Sequence, residues 1–189
     1  MSADTYLAGK DDEQTEKMGN DSATIFVVGK VTHTPGGVQL DDETRLHCRR
    51  ALKEYYHRTK IINKRRNGSV VDTRITNEVY LVIASFDRRA RERNEAIEQI
   101  RCCFTSYQHI PAKQILEIRE EKLSLEDFAA AIQNSEFPSN VIIVGREFSF
   151  RWRTPFEWRN PLTVSLKKFG IVPEYLDTTE LFFASAFPY

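Results

Sequence analysis

Few of the residues that build compact chemical sites occur in this chain. Only three cysteines, four histidines and eight glycines are spread over 189 residues. The cysteines, Cys48, Cys102 and Cys103, are odd in number and irregular in spacing, which argues against a disulfide framework and fits a reducing compartment. Cys102 and Cys103 are neighbours whose side chains diverge on a helix, so they make a poor redox or ligand pair. No run of eighteen apolar residues occurs, and no membrane insertion is expected. Neither charge sign is in excess, with 27 Lys plus Arg against 27 Asp plus Glu, so whole-molecule steering toward nucleic acid is not implied. The polar, acidic start reads as neither a signal peptide nor a transit peptide. A cytoplasmic location is expected, with the nucleus open to a chain of this size.

The same scarcity limits catalysis. His47 and His57 lie ten residues apart on one predicted helix, about 15 Å along its axis, too far to share an ion. His33 and His109 fall beside turns or in loops. Cys48 adjoins His47, but adjacent helical side chains point about 100° apart, which is unsuited to proton transfer. Gly36-Gly37 is not a phosphate loop, and no serine stands in a nucleophile elbow. Asp41-Asp42 reads as helix capping. No catalytic set, metal site or cofactor is expected from spacing, and an active site would have to be assembled from distributed residues.

What is present is segregated charge and clear periodicity. Residues 1–23 carry six acids and two bases, residues 41–66 nine bases and four acids, and residues 117–136 six acids and two bases. Residues 1–22 lack periodicity and read as a disordered acidic tail. Residues 23–189 read as a single α+β domain. Thr24 to Val31 is a run of β-branched and aromatic residues suited to a strand covered on both faces, and Val38 to Leu40 is a short hairpin partner. Leu46, Leu52, Tyr55, Tyr56, Thr59 and Ile62 recur at helical spacing and predict a helix over Asp42–Lys64 that ends at Asn67-Gly68. Strands are predicted over Ser69–Ile75 and Glu78–Phe86, joined at Thr76-Asn77. A helix capped by Asp87 then runs from Arg88 to Tyr107, and a short strand covers Gln114–Ile118.

Residues 24–118 thus read strand, helix, strand, strand, helix, strand. That is the order of a ferredoxin-like βαββαβ core, with residues 119–189 as a packed α/β extension. In the extension, Ser124 and Asp127 form a capping box for a helix over Leu125–Gln133, and Val141–Val144 is a buried strand. Phe148, Phe150 and Trp152 alternate with polar residues as a half-buried strand, paired with Val141–Val144 through Gly145-Arg146.

Three functional expectations follow. The first is a non-enzymatic protein-interaction or self-assembly module using Arg153, Phe156, Trp158, Arg159, Phe182 and Phe183, since arginine and large aromatics are enriched at interface centres. The second is RNA or single-stranded nucleic-acid binding by basic stretches 45–66 and 88–93, through Arg49, Lys53, Lys60, Lys64, Arg65, Arg66, Arg88, Arg89 and Arg93. The segment Ile25–Val31 resembles the first strand of RNA recognition motif domains. That resemblance implies base stacking on Phe26 and Tyr80, although Glu78–Ile83 lacks the glycine and bases of the matching third strand. The third is the enzyme with a distributed site.

Overall fold

A computed structural model describes residues 22–59, 61–66, 69–75, 77–119, 123–145, 148–149, 158–159 and 161–178. Its centre is a five-stranded sheet made from β1 (Ala23–Val28), β6 (Val79–Ala84), β7 (Ile115–Glu117), β8 (Val141–Val144) and β11 (Glu174–Leu176). The spatial order is β11-β8-β1-β6-β7, and every pairing is parallel. Numbered by first appearance within the sheet, the strands run 3-2-1-4-5, the order of doubly wound α/β sheets.

Parallel pairing explains why these strands are apolar throughout, because both faces must be covered. Alternate residues feed opposite layers. Ile25, Val27, Leu81, Ile83, Ile142 and Val144 point to one core, shared with Cys48, Ala51 and Tyr55 of α1 (Asp42–Arg58) and Ile97 and Ile100 of α2 (Ala90–Cys102). Phe26, Val82, Val141 and Ile143 point to the other core. There they meet Phe128, Ala129 and Ile132 of α3 (Leu125–Gln133) and Leu162 and Leu166 of α4 (Pro161–Lys168). Each face of the sheet therefore carries two helices.

The antiparallel ferredoxin-like sheet expected from element order is not what forms, although the mixture of helices and strands is. Two inserted hairpins account for the difference. One is β2 (Val31–Thr34) with β3 (Gly37–Leu40), between β1 and α1. The other is β4 (Ile61–Arg66) with β5 (Ser69–Ile75), between α1 and β6. The predicted helix 42–64 stops at Arg58, where Thr59 caps the last turn by donating its amide and its hydroxyl to the Tyr55 carbonyl. Ser69–Ile75 is a strand as expected, but its partner is β4 and not Glu78–Phe86.

Other boundaries also shift. Asp87 does not cap α2; Arg89 takes that position without a side-chain bond, and Cys103–Tyr107 continues the helix as a π-helical turn. The short β9 (Phe148–Ser149) pairs with β10 (Trp158–Arg159), not with β8. The capping box is present, with Ser124 Oγ accepting from the Asp127 amide at 3.0 Å. The acidic tail 1–21 and the apolar Leu181–Ala184 stretch lie outside the described residues. No helix among the described residues is long and apolar enough to cross a membrane.

Candidate functional site

In a doubly wound sheet, the two connections that leave the central strands diverge to opposite faces and open a crevice beyond their carboxyl ends. Here that point lies between β1 and β8. β1 leads to α1 on one face, while the strand that follows β8 in the sheet is reached through α4 on the other.

The turn after β1 is tightly built. Gly29 donates its amide to the Ala84 carbonyl at 2.9 Å. A Cβ on Gly29 would sit 2.3 Å from Ile100 Cδ1 and 3.3 Å from Thr44 Cγ2, so any side chain here would have to displace the end of Ile100. Lys30 donates its amide to Thr44 Oγ1 at 2.8 Å, and Asp41 donates to the Lys30 carbonyl at 3.2 Å, closing the base of the β2–β3 hairpin. Asp41 Oδ1 in turn accepts from the Thr44 amide at 2.7 Å and caps α1.

One turn into α1 stands His47, 8% exposed. Its Nδ1 lies 3.0 Å from the Val28 carbonyl oxygen at the end of β1. A carbonyl only accepts, so Nδ1 carries the proton and a neutral ring keeps its lone pair on Nε2. Nε2 faces the end of β8, where a Cβ on Gly145 would come within 3.3 Å of it. Gly145 has φ +125° and donates its amide to Leu176, so the chain passes close to the imidazole in a conformation that favours glycine. Glu43 Oε1, one turn earlier on α1, is 3.9 Å from the same nitrogen. Further along this side of the helix, Arg50 Nε is buried and unpaired among the described residues.

This is a histidine with one nitrogen fixed to the backbone and the other presented at the switch of strand order. Chemically it can accept a hydrogen bond or a proton, and once protonated it can pair with a carboxylate. The sequence concealed it, because His47 on a helix reads as an ordinary surface or helix-end residue. Only the strand order places it over the ends of β1 and β8.

The two helices that start at this end differ electrically. α1 is capped by Asp41 and carries Asp42 and Glu43 in its first turn, so its amino end is already neutralised and offers no phosphate cradle. α2 starts without a side-chain cap, beside exposed Arg88, Arg89 and Arg91. Arg93 is engaged by the Asp87 and Arg88 carbonyls.

The predicted nucleic-acid residues do not gather on one helical ridge. Arg49 and Lys53 are exposed on α1. Lys64, Arg65 and Arg66 lie on β4, in a hairpin attached at the amino ends of the strands, and Lys60 lies outside the described residues. Arg88 and Arg89 follow the carboxyl end of β6. Phe26, implied as a base-stacking platform, is fully buried in an edge-to-face contact with Phe128, ring centroids 5.5 Å apart. Tyr80 packs similarly on Phe137. Of the interface candidates, Trp158 and Arg159 form β10, while Arg153, Phe156, Phe182 and Phe183 lie outside the described residues.

Cys48 is a core residue, while Cys102 and Cys103 are half-buried. Burial, aided by nearby Cys103, pushes the Cys48 thiol up to about 12, and burial also raises Cys103. Both therefore stay protonated near neutrality and are poor nucleophiles. No group of three or more potential ligands that could hold a metal occurs among the described residues. A shallow depression of about 340 Å³, lined by Ser22, Glu78 and Ser135–Asn140, sits at the opposite, amino end of the sheet. No family model, curated protein or solved structure matches the chain, so this end of the sheet is read from its own residues.

Proposed function

We propose that the protein binds a small polar molecule in the crevice beyond β1 and β8, with His47 Nε2 accepting a hydrogen bond or a proton from it. The observation that carries this reading is the fixed tautomer of a nearly buried histidine at the reversal of strand order, held by Val28 and overlain by Gly145. The capped, acidic start of α1 disfavours a pyrophosphate lying on that helix, so the ligand group that meets His47 is a hydroxyl or nitrogen donor. This is the distributed active site among the sequence expectations. Binding is the first claim and proton transfer the second.

A thermal-shift screen of polar metabolites on wild type and His47→Gln tests it. Glutamine can still donate to the Val28 carbonyl, but it lacks the imidazole. A ligand that raises the wild-type melting temperature and loses that effect in His47→Gln supports the reading. No stabilising compound, or stabilisation indifferent to the substitution, refutes it.

A second reading, contact with RNA or single-stranded nucleic acid, is favoured by the exposed Arg88 and Arg89 at the uncapped start of α2 and by exposed Arg49 and Lys53. It predicts oligonucleotide affinity that falls steeply with salt. Assembly through the Arg153–Arg159 and Phe182-Phe183 segments remains a third proposal, tested by the oligomeric state of Trp158→Ala in solution.

A further inference from the structure

Between the rigid end of β1 and the start of α1 the chain makes a ten-residue excursion, Val31–Leu40, which the doubly wound scaffold does not require. None of its residues is buried. Within it, partly buried Leu40 packs against the hydrophobic core. The rest of its attachment is polar and comes mainly from α2, with one bond from α1. Gln99 lies along the edge of β3, its Oε1 accepting from the Leu40 amide at 3.1 Å and its Nε2 donating to the Val38 carbonyl at 3.0 Å. His33 Nε2 meets Glu92 Oε1 at 3.0 Å, in a pair that Arg89 joins at 3.3 Å. Gln39 is held by Arg45 of α1, which also pairs with Asp42.

The roots of the excursion are of a different kind. Gly29 is wedged against Ile100, and Lys30 and Asp41 are bonded to each other and to buried Thr44. A segment with fixed roots, only half-buried apolar side chains at Val31, Val38 and Leu40, and polar clamps, of which His33–Glu92 and Gln39–Arg45 are exposed, belongs to the low-stability end of a folded protein. We infer that the β2–β3 hairpin is a flap that detaches from α2 without unfolding the core, swinging above Lys30 and Asp41 beside the crevice. Gln99 is its latch and His33–Glu92 its outer clasp. The inference is independent of what the crevice binds.

Native-state amide exchange on the full chain, resolved by residue, tests it. In wild type the Leu40 amide, whose acceptor is the latch, exchanges at least about a hundredfold faster than Phe26 or Val82 in the central strands. Gln99→Ala speeds Leu40 by a further factor of about ten, the worth of one hydrogen bond, and leaves Phe26 and Val82 unchanged. Hairpin amides that exchange in step with the central strands in wild type overturn the inference, and that comparison decides it even if Gln99→Ala fails to fold. A folded Gln99→Ala protein with unchanged Leu40 exchange removes Gln99 as the latch.

Discussion

Gly29 and Gly145 both follow strands at the carboxyl end of the sheet, and they are glycine for different reasons. At Gly29 the constraint is space, since an added methyl would meet Ile100 Cδ1 at 2.3 Å in a fully buried position. Gly29→Ala is therefore expected to cost about 1–3 kcal/mol by overpacking. Ile100→Val, which deletes the obstructing methyl, costs about 0.5–1.5 kcal/mol alone. The double variant should be more stable than the sum of the two losses implies, and urea denaturation of all four proteins measures that coupling. Additive losses would place the constraint at Gly29 elsewhere. At Gly145 the constraint is the backbone, at φ +125°, with His47 beside it. Gly145→Ala should lose about 1–3 kcal/mol through strain alone, whichever residue stands at 47. An alanine tolerated without loss of stability would show that the strand end relaxes away from the imidazole.

Among the described residues, those of α2 carry the densest ion pairing. Glu98 pairs with Arg101, Arg101 reaches Glu117 at 3.2 Å, and Arg119 contacts both Glu117 and Glu98, tying α2 to β7 and its continuation. The Glu98 carboxyl is held below its ordinary value chiefly by its hydrogen bond to Arg101, against the opposing effect of burial. A carboxyl with a lowered folded-state pKa contributes stability that is present above its unfolded value and is lost as pH falls through the folded one. Stability should therefore decline below the ordinary carboxylate range near 4.5, and Glu98→Gln should flatten that decline in urea titrations taken at successive pH values. An identical slope in the variant would remove Glu98 from the effect. The helices α3 and most of α1, and the apolar strands β1, β6 and β8, were legible because period and capping state them locally. What was not legible was pairing. Ile61–Arg66 continues the apolar rhythm of α1 and ends in bases that suit a helix terminus, so the strand was hidden inside the predicted helix. With β4 unseen, β5 had no partner and was assigned to the main sheet, turning two βαβ units into an apparent ferredoxin-like string. The continuous apolar character of Thr24–Val31 did signal a strand covered on both faces. His47 became interpretable only after that topology was known, because no local pattern distinguishes it from His57.

Across the whole molecule, the sheet is the common wall of two separate cores. Every central strand contributes to both: β1 sends Ile25 and Val27 one way and Phe26 the other, and β8 divides Ile142 and Val144 from Ile143. Neither helical layer can leave without exposing strands that the other still needs covered. The two cores should therefore melt as one cooperative unit although their side chains do not touch, while the β2–β3 flap opens below that transition. Ile97→Val on one face and Ile132→Val on the other probe this directly. Both residues are 2% exposed, and each substitution should cost about 0.5–1.5 kcal/mol. Their losses should add to within about 0.5 kcal/mol, since the sheet separates the sites. Circular dichroism and tryptophan fluorescence should trace a single coincident urea transition in both single variants and in the double. Two resolved transitions, each shifted by only one of the substitutions, would show that the layers are independent, and the ends of β1 and β8 would then lack the rigid frame that fixing His47 requires.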